Sequence, residues 1–148
     1  MIGRASDHPD RSARLIPLRT LRAANGNLTV CEAGRDFPFE IKRTYFVWGV
    51  PDGMSRGAHA HRKTRQVLVA AAGRLEVLVD DGARSHVVVL DHPERGLLVE
   101  PMTWCCVRRM SGSAICLVLA STHYDESDYI HDRGEFEALI RHGAHPVH

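Results

Sequence analysis

The apolar residues of this chain fall into short runs of strand length, and turn residues separate the runs. Nine runs rich in valine, leucine, isoleucine and aromatic residues predict strands. They cover residues 14–19, 27–32, 41–50, 66–71, 74–80, 86–90, 96–100, 104–109 and 115–120. Asp81-Gly82 gives the clearest hairpin signal, because glycine accepts the positive φ of a primed turn. The mixed order within 75–80 indicates a strand that is buried on both faces.

Helical periodicity is confined to residues 132–141. Phe136, Leu139 and Ile140 recur there at spacings of three and four, with acidic residues before them and Arg141 after them. So many short strands in a chain of 148 residues favour an all-β, antiparallel barrel or jelly roll, followed by one short C-terminal helix.

Length and composition narrow the class of protein. A chain with 44% hydrophobic and 25% charged residues fits one globular domain. We expect this domain to span 13–148, after a polar, flexible segment at 1–12. The net charge of +1 provides no general field for nucleic acid or a membrane surface. With no apolar leader and no bilayer-length run, we expect a cytoplasmic protein whose four cysteines are free thiols.

The candidate chemistry centres on His59 and His61, in the sequence Gly-Ala-His-Ala-His. Two histidines at this spacing on a strand point to the same face, and that face is expected to be the barrel interior. Imidazoles titrate near neutral pH, so such a pair can both take and give protons. It can also bind a metal, and an exposed pair without a role is the plain alternative.

The residues around the pair resemble the two motifs of the cupin superfamily, in which histidines and a glutamate bind a metal. Gln66 occupies the glutamate position, and Gly73 is the glycine that turns the chain. Residues 101–106 correspond to the second motif, with Cys105 or Cys106 at its histidine position. A neutral amide is a poor metal ligand, so these departures favour a site without metal or cofactor. A zinc site of two histidines and one cysteine stays open as the alternative.

Four blocks, in order, resemble the sugar 3,4-ketoisomerases that act on dTDP-4-keto-6-deoxyglucose. Residues 38–46 resemble the block PFxIKRxYY, 56–68 resemble RGxHAHxxxxQxL, 78–82 resemble LDDG, and 119–130 resemble LASxxYDExDYIR. The resemblance covers about residues 26–137. It implies a cupin barrel, an isomerase acting in deoxysugar biosynthesis, a dTDP-linked keto-deoxysugar as substrate, and a homodimer.

This activity moves the sugar carbonyl from C4 to C3 through an enediol. It needs a base at C3, a proton returned at C4, and a proton passed between two oxygens. We assign His61 as the carbon base and His59 as the oxygen shuttle, although either order is chemically open. Tyr45 is a third catalytic candidate that donates a hydrogen bond to the developing oxyanion, unless its strand turns it into the core.

The substrate needs cations for its diphosphate and a surface for its thymine. The candidate phosphate ligands are Arg43, Arg56, Lys63 and Arg74, and we favour Arg56 and Lys63 because they flank the histidine pair. Each of them is also of a type that commonly serves as a solvated surface charge. Trp104 and Phe46 are the candidates for the thymine platform, although core packing is the favoured interpretation of both.

Gln66, Cys105 and Asn25 complete the expected substrate pocket. The family often has histidine at the position of Cys105 and arginine at that of Asn25, so the C4 stereochemistry of the product stays open. Adjacent Cys105 and Cys106 must face opposite sides of a strand, so only one of them reaches the pocket. The acidic residues at 125–128 are interpreted as a capped turn before the helix rather than a cation site.

Three other functions remain possible at this stage. The first is a metal-dependent cupin enzyme that uses the histidine pair and a cysteine. The second is a non-catalytic sugar-nucleotide sensor. The third is a deoxysugar epimerase, which exchanges a hydrogen without moving the keto group.

Overall fold

The computed structural model describes residues 12–143 as antiparallel β structure with one C-terminal helix. The strands are β1 (Ala13–Pro17), β2 (Arg19–Ala23), β3 (Gly26–Val30), β4 (Arg43–Trp48), β5 (Ser55–His61), β6 (Gln66–Ala72), β7 (Leu75–Asp80), β8 (Ser85–Leu90), β9 (Arg95–Val99), β10 (Trp104–Arg108), β11 (Ile115–Ala120) and β12 (Tyr129–Ile130). A turn of 3₁₀ helix, Glu126–Asp128, precedes β12. Helix α1 (Arg133–Arg141) follows β12 with Asp132 as its N-cap, which confirms the predicted helix.

Two five-stranded sheets face each other across a common core. Their strand orders are β1-β9-β6-β11-β4 and β12-β5-β10-β7-β8, while β2 and β3 form a separate hairpin. Leu68 and Val118 from the first sheet pack with Val77 and Val107 from the second. Alternate side chains of a strand point to opposite faces, so each strand contributes one row of residues to this core. The prediction of an all-β, antiparallel jelly roll with a short C-terminal helix is confirmed.

The outer face of each sheet is also covered, which explains why several strands are apolar on both faces. Phe37 and Phe39, in the connection between β3 and β4, pack on Val67 of β6. On the other sheet, Phe136 of α1 packs on Trp104 of β10. Strand β7 is buried along both of its faces for most of its length, as the sequence predicts.

Strands β5 and β12 lie outside the nine predicted runs, and β2 shares only Arg19 with them. Strands β2 and β5 are rich in polar residues and β12 is only two residues long, so none carries a typical apolar run. The predicted hairpin joins β7 to β8, but Asp80 pairs with Ser85, so residues 81–84 form its connection. Gly82 adopts the expected positive φ, at 94°, within this longer loop rather than within a two-residue primed turn.

The predicted flexible segment at 1–12 lies outside the described residues except for Ser12. Ser12 is buried, and its carbonyl accepts a hydrogen bond from the Glu100 amide at 2.7 Å. The four cysteines are unpaired thiols. Within residues 12–143, no helix combines the length and apolar content needed to cross a membrane.

Candidate active site

A cavity of about 630 Å³ lies between the two sheets. Inward-facing residues of β4, β5, β6, β10 and β11 form its walls, and residues from 124–131 close one side. This volume is typical of a small-molecule site. The predicted site residues that line the cavity are Arg43, Tyr45, Arg56, His59, Gln66 and Cys105.

A β-bulge at Gly57 brings Arg56 and His59 to the same wall. Arg56 pairs with Val107 and His59 pairs with Cys105 of β10, so β5 has one extra residue between these pairs. Gly57 has a φ of 72°, a left-handed conformation that glycine adopts without strain. Without the bulge, two residues three apart on a strand would face opposite sides.

His59 and His61 lie side by side, as their spacing on β5 predicts. Their ring centroids are 4.8 Å apart and their planes are perpendicular. His59 lines the cavity, whereas His61 lies behind it and is only 6% exposed. The ring of Tyr129 packs on both, at 4.9 Å from His59 and 4.4 Å from His61. The two imidazoles therefore belong to one aromatic cluster in the cavity wall.

Both imidazoles have lowered pKa values. Burial lowers the pKa of His59 to about 4, and the nearby His61 and His131 add to the shift. Burial also lowers the pKa of His61, although its hydrogen bond to Asp128 opposes the change. Both side chains are therefore neutral at pH 7, and each has a lone pair that can accept a proton.

Gln66 connects the histidine pair to Tyr45. Its Nε2 donates to the Tyr45 hydroxyl oxygen at 3.0 Å and lies 3.1 Å from Nε2 of His61. An amide nitrogen carries two hydrogens, so it can donate to both neighbours. Burial, with a contribution from Tyr129, raises the pKa of Tyr45 to about 12, which keeps the phenol protonated. Because the phenolic oxygen already accepts from Gln66, its own hydrogen is available to a ligand.

Arg43 brings to the cavity a cation that has no carboxylate partner among residues 12–143. It lies in the inward-facing row of β4, and its guanidinium carbon is 5.6 to 6.0 Å from the ring centroids of Tyr124, Tyr45 and Tyr129. Its Nε is buried and has no hydrogen-bond partner among the described residues. A buried donor without a partner is costly, so this group is poised to bind an anion.

The mouth of the cavity has a polar rim. Arg56 is exposed there, and Glu126 accepts hydrogen bonds from the Tyr124 hydroxyl at 2.6 Å and from Nε2 of His131 at 2.9 Å. His131 stacks on Tyr129 at 5.4 Å between ring centroids. The rim therefore combines the exposed cation of Arg56 with a compact group of side chains that contact one another.

The set of donors around the cavity is poor for a metal ion. Cys105 lines the cavity, and burial raises the pKa of its thiol to about 12, so the thiolate form that binds metals is disfavoured. In the part of the chain that the structure describes, no group of three or more His, Cys, Asp or Glu side chains has an arrangement suited to a metal. Cys106 is buried and lies outside the cavity lining, as strand alternation requires.

Three residues predicted to bind substrate do not reach this cavity. Trp104 faces away from it because its neighbour Cys105 faces inward, and it packs 5.6 Å from the ring of Phe136. It is thus a core residue, which corrects its prediction as the thymine platform. Lys63 is exposed in the turn between β5 and β6, and Asn25 is exposed in the turn between β2 and β3. Neither side chain lines the cavity of its own chain.

Asp128, a buried carboxylate, is absent from the predicted site. The interpretation of 125–128 as a capped turn holds for Asp125, whose side chain accepts from the Ser127 amide and hydroxyl. Asp128 instead turns inward, with Oδ2 3.0 Å from Nδ1 of His61. Asp128 and His61 are 67 positions apart, so no local spacing links them. The one feature of the sequence that points to Asp128 is its place in the family block at residues 119–130.

Comparisons with known proteins identify close relatives. TDP-4-oxo-6-deoxy-alpha-D-glucose-3,4-oxoisomerase from Aneurinibacillus thermoaerophilus is 36% identical over 127 residues, covering 86% of this chain and 91% of that enzyme. QdtA, a sugar 3,4-ketoisomerase from Thermoanaerobacterium thermosaccharolyticum solved in complex with TDP, has a TM-score of 0.87 at 30% identity, covering 89% of this chain and 96% of that one. A histidine-to-asparagine mutant of QdtA, solved with TDP-4-keto-6-deoxyglucose, also has a TM-score of 0.87, at 29% identity, and covers 90% of this chain and 96% of its own.

The fold and the relatives define the class of protein as the cupin-type sugar 3,4-ketoisomerases, so the predicted class of enzyme, an isomerase, is confirmed. The chain belongs to the family described as FdtA: WxcM-like, C-terminal, whose model matches residues 11–141. The resemblance seen in the four sequence blocks is thereby confirmed over nearly the whole described chain.

Proposed function

We propose that this chain converts dTDP-4-keto-6-deoxyglucose into its 3-keto isomer by histidine acid–base catalysis, without a metal or other cofactor. One observation carries the proposal: the neutral imidazole of His59, a protonated phenol and a guanidinium with no partner among the described residues line one cavity, and the neutral imidazole of His61 lies directly behind that of His59. The TDP and TDP-4-keto-6-deoxyglucose bound to QdtA, a relative with the same fold, support this class of substrate.

The reaction transfers two protons and shifts one double bond. His61 takes the C3 hydrogen, which the C4 carbonyl acidifies, and returns a proton to C4. His59 carries the hydroxyl proton from the C3 oxygen to the C4 oxygen. The electron pair of the C3–H bond forms the C3=C4 bond of the enediol, which then collapses to the C3 carbonyl. No electrons enter or leave, so the chemistry requires only positioned acids and bases.

Tyr45 is suited to stabilise the negative charge that develops on the sugar oxygens. Its phenol stays protonated at pH 7, and its hydrogen is left free by the bond that its oxygen accepts from Gln66. A donor fixed in advance stabilises an oxyanion without reorganising during the reaction. We therefore assign Tyr45 as the donor to the developing enediolate, and Gln66 as the group that orients it.

Arg43 is the best-placed residue to bind the diphosphate, and Arg56 lies at the rim of the same cavity. A guanidinium offers two parallel donors to phosphate oxygens, and in the described residues no carboxylate pairs with Arg43 and would have to be displaced. The exposed guanidinium of Arg56 adds charge at the mouth. Lys63 and Asn25, which the sequence also predicts to bind substrate, do not line the cavity of their own chain.

The donor set supports the metal-free form of the reaction. Gln66, at the position of the metal-binding glutamate, provides a neutral amide rather than a carboxylate. The candidate third ligand, Cys105, would also have to lose a proton that burial retains. Metal analysis of the purified protein, with activity measured before and after chelation, tests this part of the proposal. Activity lost on chelation and restored by a divalent metal would overturn it.

Proton NMR in deuterated buffer tests the isomerisation directly. Incubation with dTDP-4-keto-6-deoxyglucose is expected to give a 3-keto product that carries solvent deuterium at C4. His61→Asn should abolish both product and exchange, whereas His92→Asn, a change on the exposed surface near Glu94, should leave both intact. A folded wild-type protein that forms no product and exchanges no hydrogen would refute the proposal for this substrate. Exchange without a 3-keto product would instead indicate an epimerase.

We also propose that the enzyme acts in the cytoplasm and that it is a homodimer, as the family resemblance implies.

The exposed apolar surface supports the proposed homodimer. Strand β4 lies at an open sheet edge, with Phe46 60% exposed and Trp48 74% exposed. The β2–β3 hairpin exposes Leu21 and Leu28 in the same way. Unpaired edges and apolar surface of this kind are usually covered in solution. Light scattering should give the mass of a dimer, and Trp48→Glu should lower it; a monomeric wild-type protein would contradict the proposal.

A further inference from the structure

We infer that Asp128 positions His61: it holds the proton on Nδ1, turns the Nε2 lone pair toward the substrate side, and stabilises the imidazolium formed during the reaction. This inference rests on the proposed function, in which His61 is the base at C3. Asp128 does not line the cavity and acts only through His61. It is therefore a positioning residue rather than a catalytic one.

Every oxygen of the Asp128 side chain has a donor directed at it. Oδ1 accepts from the backbone amide of Lys63 at 2.6 Å, and Oδ2 accepts from the hydroxyl of Thr64. Oδ2 also lies 3.0 Å from Nδ1 of His61. The carboxylate is 6% exposed, so these contacts replace nearly all of its water. They fix the carboxylate in one orientation beside the imidazole.

These contacts also keep the carboxylate ionised. Burial alone would raise the pKa of Asp128, but the hydrogen bonds from Thr64, His61 and the Lys63 amide outweigh it and lower the pKa. An ionised carboxylate only accepts hydrogen bonds, so Nδ1 of His61 must carry the hydrogen. The lone pair of the neutral ring is then on Nε2, which faces the amide nitrogen of Gln66. Because Gln66 lines the cavity and Asp128 does not, Nε2 is the ring nitrogen nearer to the substrate side.

An adjacent carboxylate matters most to the histidine that takes a proton from carbon. A C–H group beside a ketone is a weak acid, so its base must form a stabilised imidazolium. Asp128 raises the pKa of His61 through its hydrogen bond and its charge, against the effect of burial. No carboxylate is hydrogen-bonded to His59 in the described residues, which suits exchange between two oxygens.

Several charged and titratable side chains besides Asp128 lie around His61 and can also affect its pKa. Charged and titratable side chains face it from β4, from β5, and from the segment that includes β12: Arg43, Tyr45, His59, Asp128, Tyr129 and His131. Among them, Asp128 is the one hydrogen-bonded anion. Removing its charge should therefore lower the pKa of the His61 imidazolium, and no other neighbour compensates.

Asp128→Asn is expected to invert the tautomer of His61. The Lys63 amide still requires an acceptor, so the new side-chain oxygen should take the Oδ1 position. The side-chain NH₂ then faces Nδ1 of His61, and it can only donate. The hydrogen of the ring moves to Nε2, and the lone pair is lost from the substrate side. The hydroxyl of Thr64 can accept from the new amide, because it has Thr122 as a second partner at 2.6 Å.

Nitrogen-15 NMR of histidine-labelled protein measures the tautomer without any substrate. His61 is assigned by the loss of its signals in His61→Asn. Wild-type protein at pH 7 should show a protonated Nδ1 and an unprotonated Nε2, and Asp128→Asn should show the reverse. Asp125→Asn is the matched control, because Asp125 caps the same 3₁₀ turn but does not contact His61. It should leave the His61 signals unchanged, even if it lowers stability.

Kinetics then test whether the tautomer matters. Asp128→Asn should lower kcat by about 10²- to 10⁴-fold with little change in KM, as expected when a catalytic histidine has the wrong tautomer. The acidic limb of its kcat/KM profile should move to lower pH, while Asp125→Asn keeps the wild-type profile. A purely structural role for Asp128 would not move that limb.

The outcomes separate this inference from the proposed function. A protonated Nε2 in wild-type His61 would overturn the inference even if Asp128→Asn failed to fold. An inverted tautomer with unchanged kcat would overturn its catalytic part. The expected tautomers in a wild-type protein that turns over no keto sugar would support the positioning of His61 while refuting the proposed function.

Discussion

Replacing Arg43 by methionine tests the proposed diphosphate site with little disturbance to the fold. Methionine keeps an unbranched apolar stem between the tyrosine rings and removes only the charged group. Since Nε of Arg43 is buried without a partner among the described residues, its removal leaves none of their groups newly unsatisfied. We therefore expect the free energy of unfolding to change by no more than about 1 kcal/mol, the size of a typical partly buried cation–π contact.

The expected loss of binding follows from the state of the free guanidinium. Arg43 has no ion pair to give up within the described part of the chain, so a phosphate would gain charge-assisted hydrogen bonds without a competitor there. Such bonds contribute about 1.5–3 kcal/mol. Since about 1.4 kcal/mol is a tenfold change in Kd, Arg43→Met should weaken dTDP binding by about 10- to 150-fold. The effect should shrink as salt rises, because the lost interaction is electrostatic.

Isothermal titration with dTDP and with thymidine is the decisive assay. Arg43→Met should weaken the binding of dTDP but leave that of thymidine, which has no phosphate, unchanged. Arg62→Met is the matched control, because Arg62 pairs with Glu135 of α1 at 2.6 Å and does not line the cavity. Equal dTDP affinity in Arg43→Met and wild type would refute the reasoning. Equal losses for dTDP and thymidine would show that the pocket had been distorted.

Two further predictions concern stability. Gly73→Ala should cost about 2–5 kcal/mol in urea unfolding, because its φ is 67° and a Cβ would lie 2.7 Å from the backbone Cα of Ala114. Gly53→Ala has a similar φ, 77°, but open space around it, and should cost only about 1–2 kcal/mol; equal costs would disprove the steric argument. His59 takes up a proton near pH 6.5 when unfolded but only near pH 4 when folded, so the unfolded state binds more protons in that window. Stability should therefore fall as pH drops from 6.5 to 4, and urea midpoints of His59→Asn should fall less; parallel curves would contradict the burial of His59.

Local patterns in the sequence were sufficient for most of the fold. The runs that form β6, β7 and β11 are apolar enough to be recognised alone, and α1 shows helical spacing with an N-cap. Strands β2 and β5 escaped prediction because polar strands depend on their neighbours in the sheet for stability. The alternation of apolar and polar residues within these two strands does not indicate which strands they pair with.

The same distinction applies to the candidate site. The spacing of His59 and His61 placed both on one face because side-chain direction along a strand is a local property. Local geometry also required Trp104 and Cys105 to face opposite sides, but it did not tell which of them faces inward. That choice depends on α1, which covers the outer face of β10 and packs against Trp104 through Phe136.

By itself, the sequence determined the strand-rich fold, the family and the histidine pair, because each of these is encoded by residues close together along the chain. The tertiary structure alone decided which cation lacks a partner and which carboxylate meets His61. Arg43 is free because β4 carries it among tyrosine rings rather than carboxylates. Asp128 meets His61 across 67 positions because β12 pairs with β5, with Tyr129 opposite His61. Pairings between distant segments result from the packing of the whole chain, so no local pattern could have revealed them.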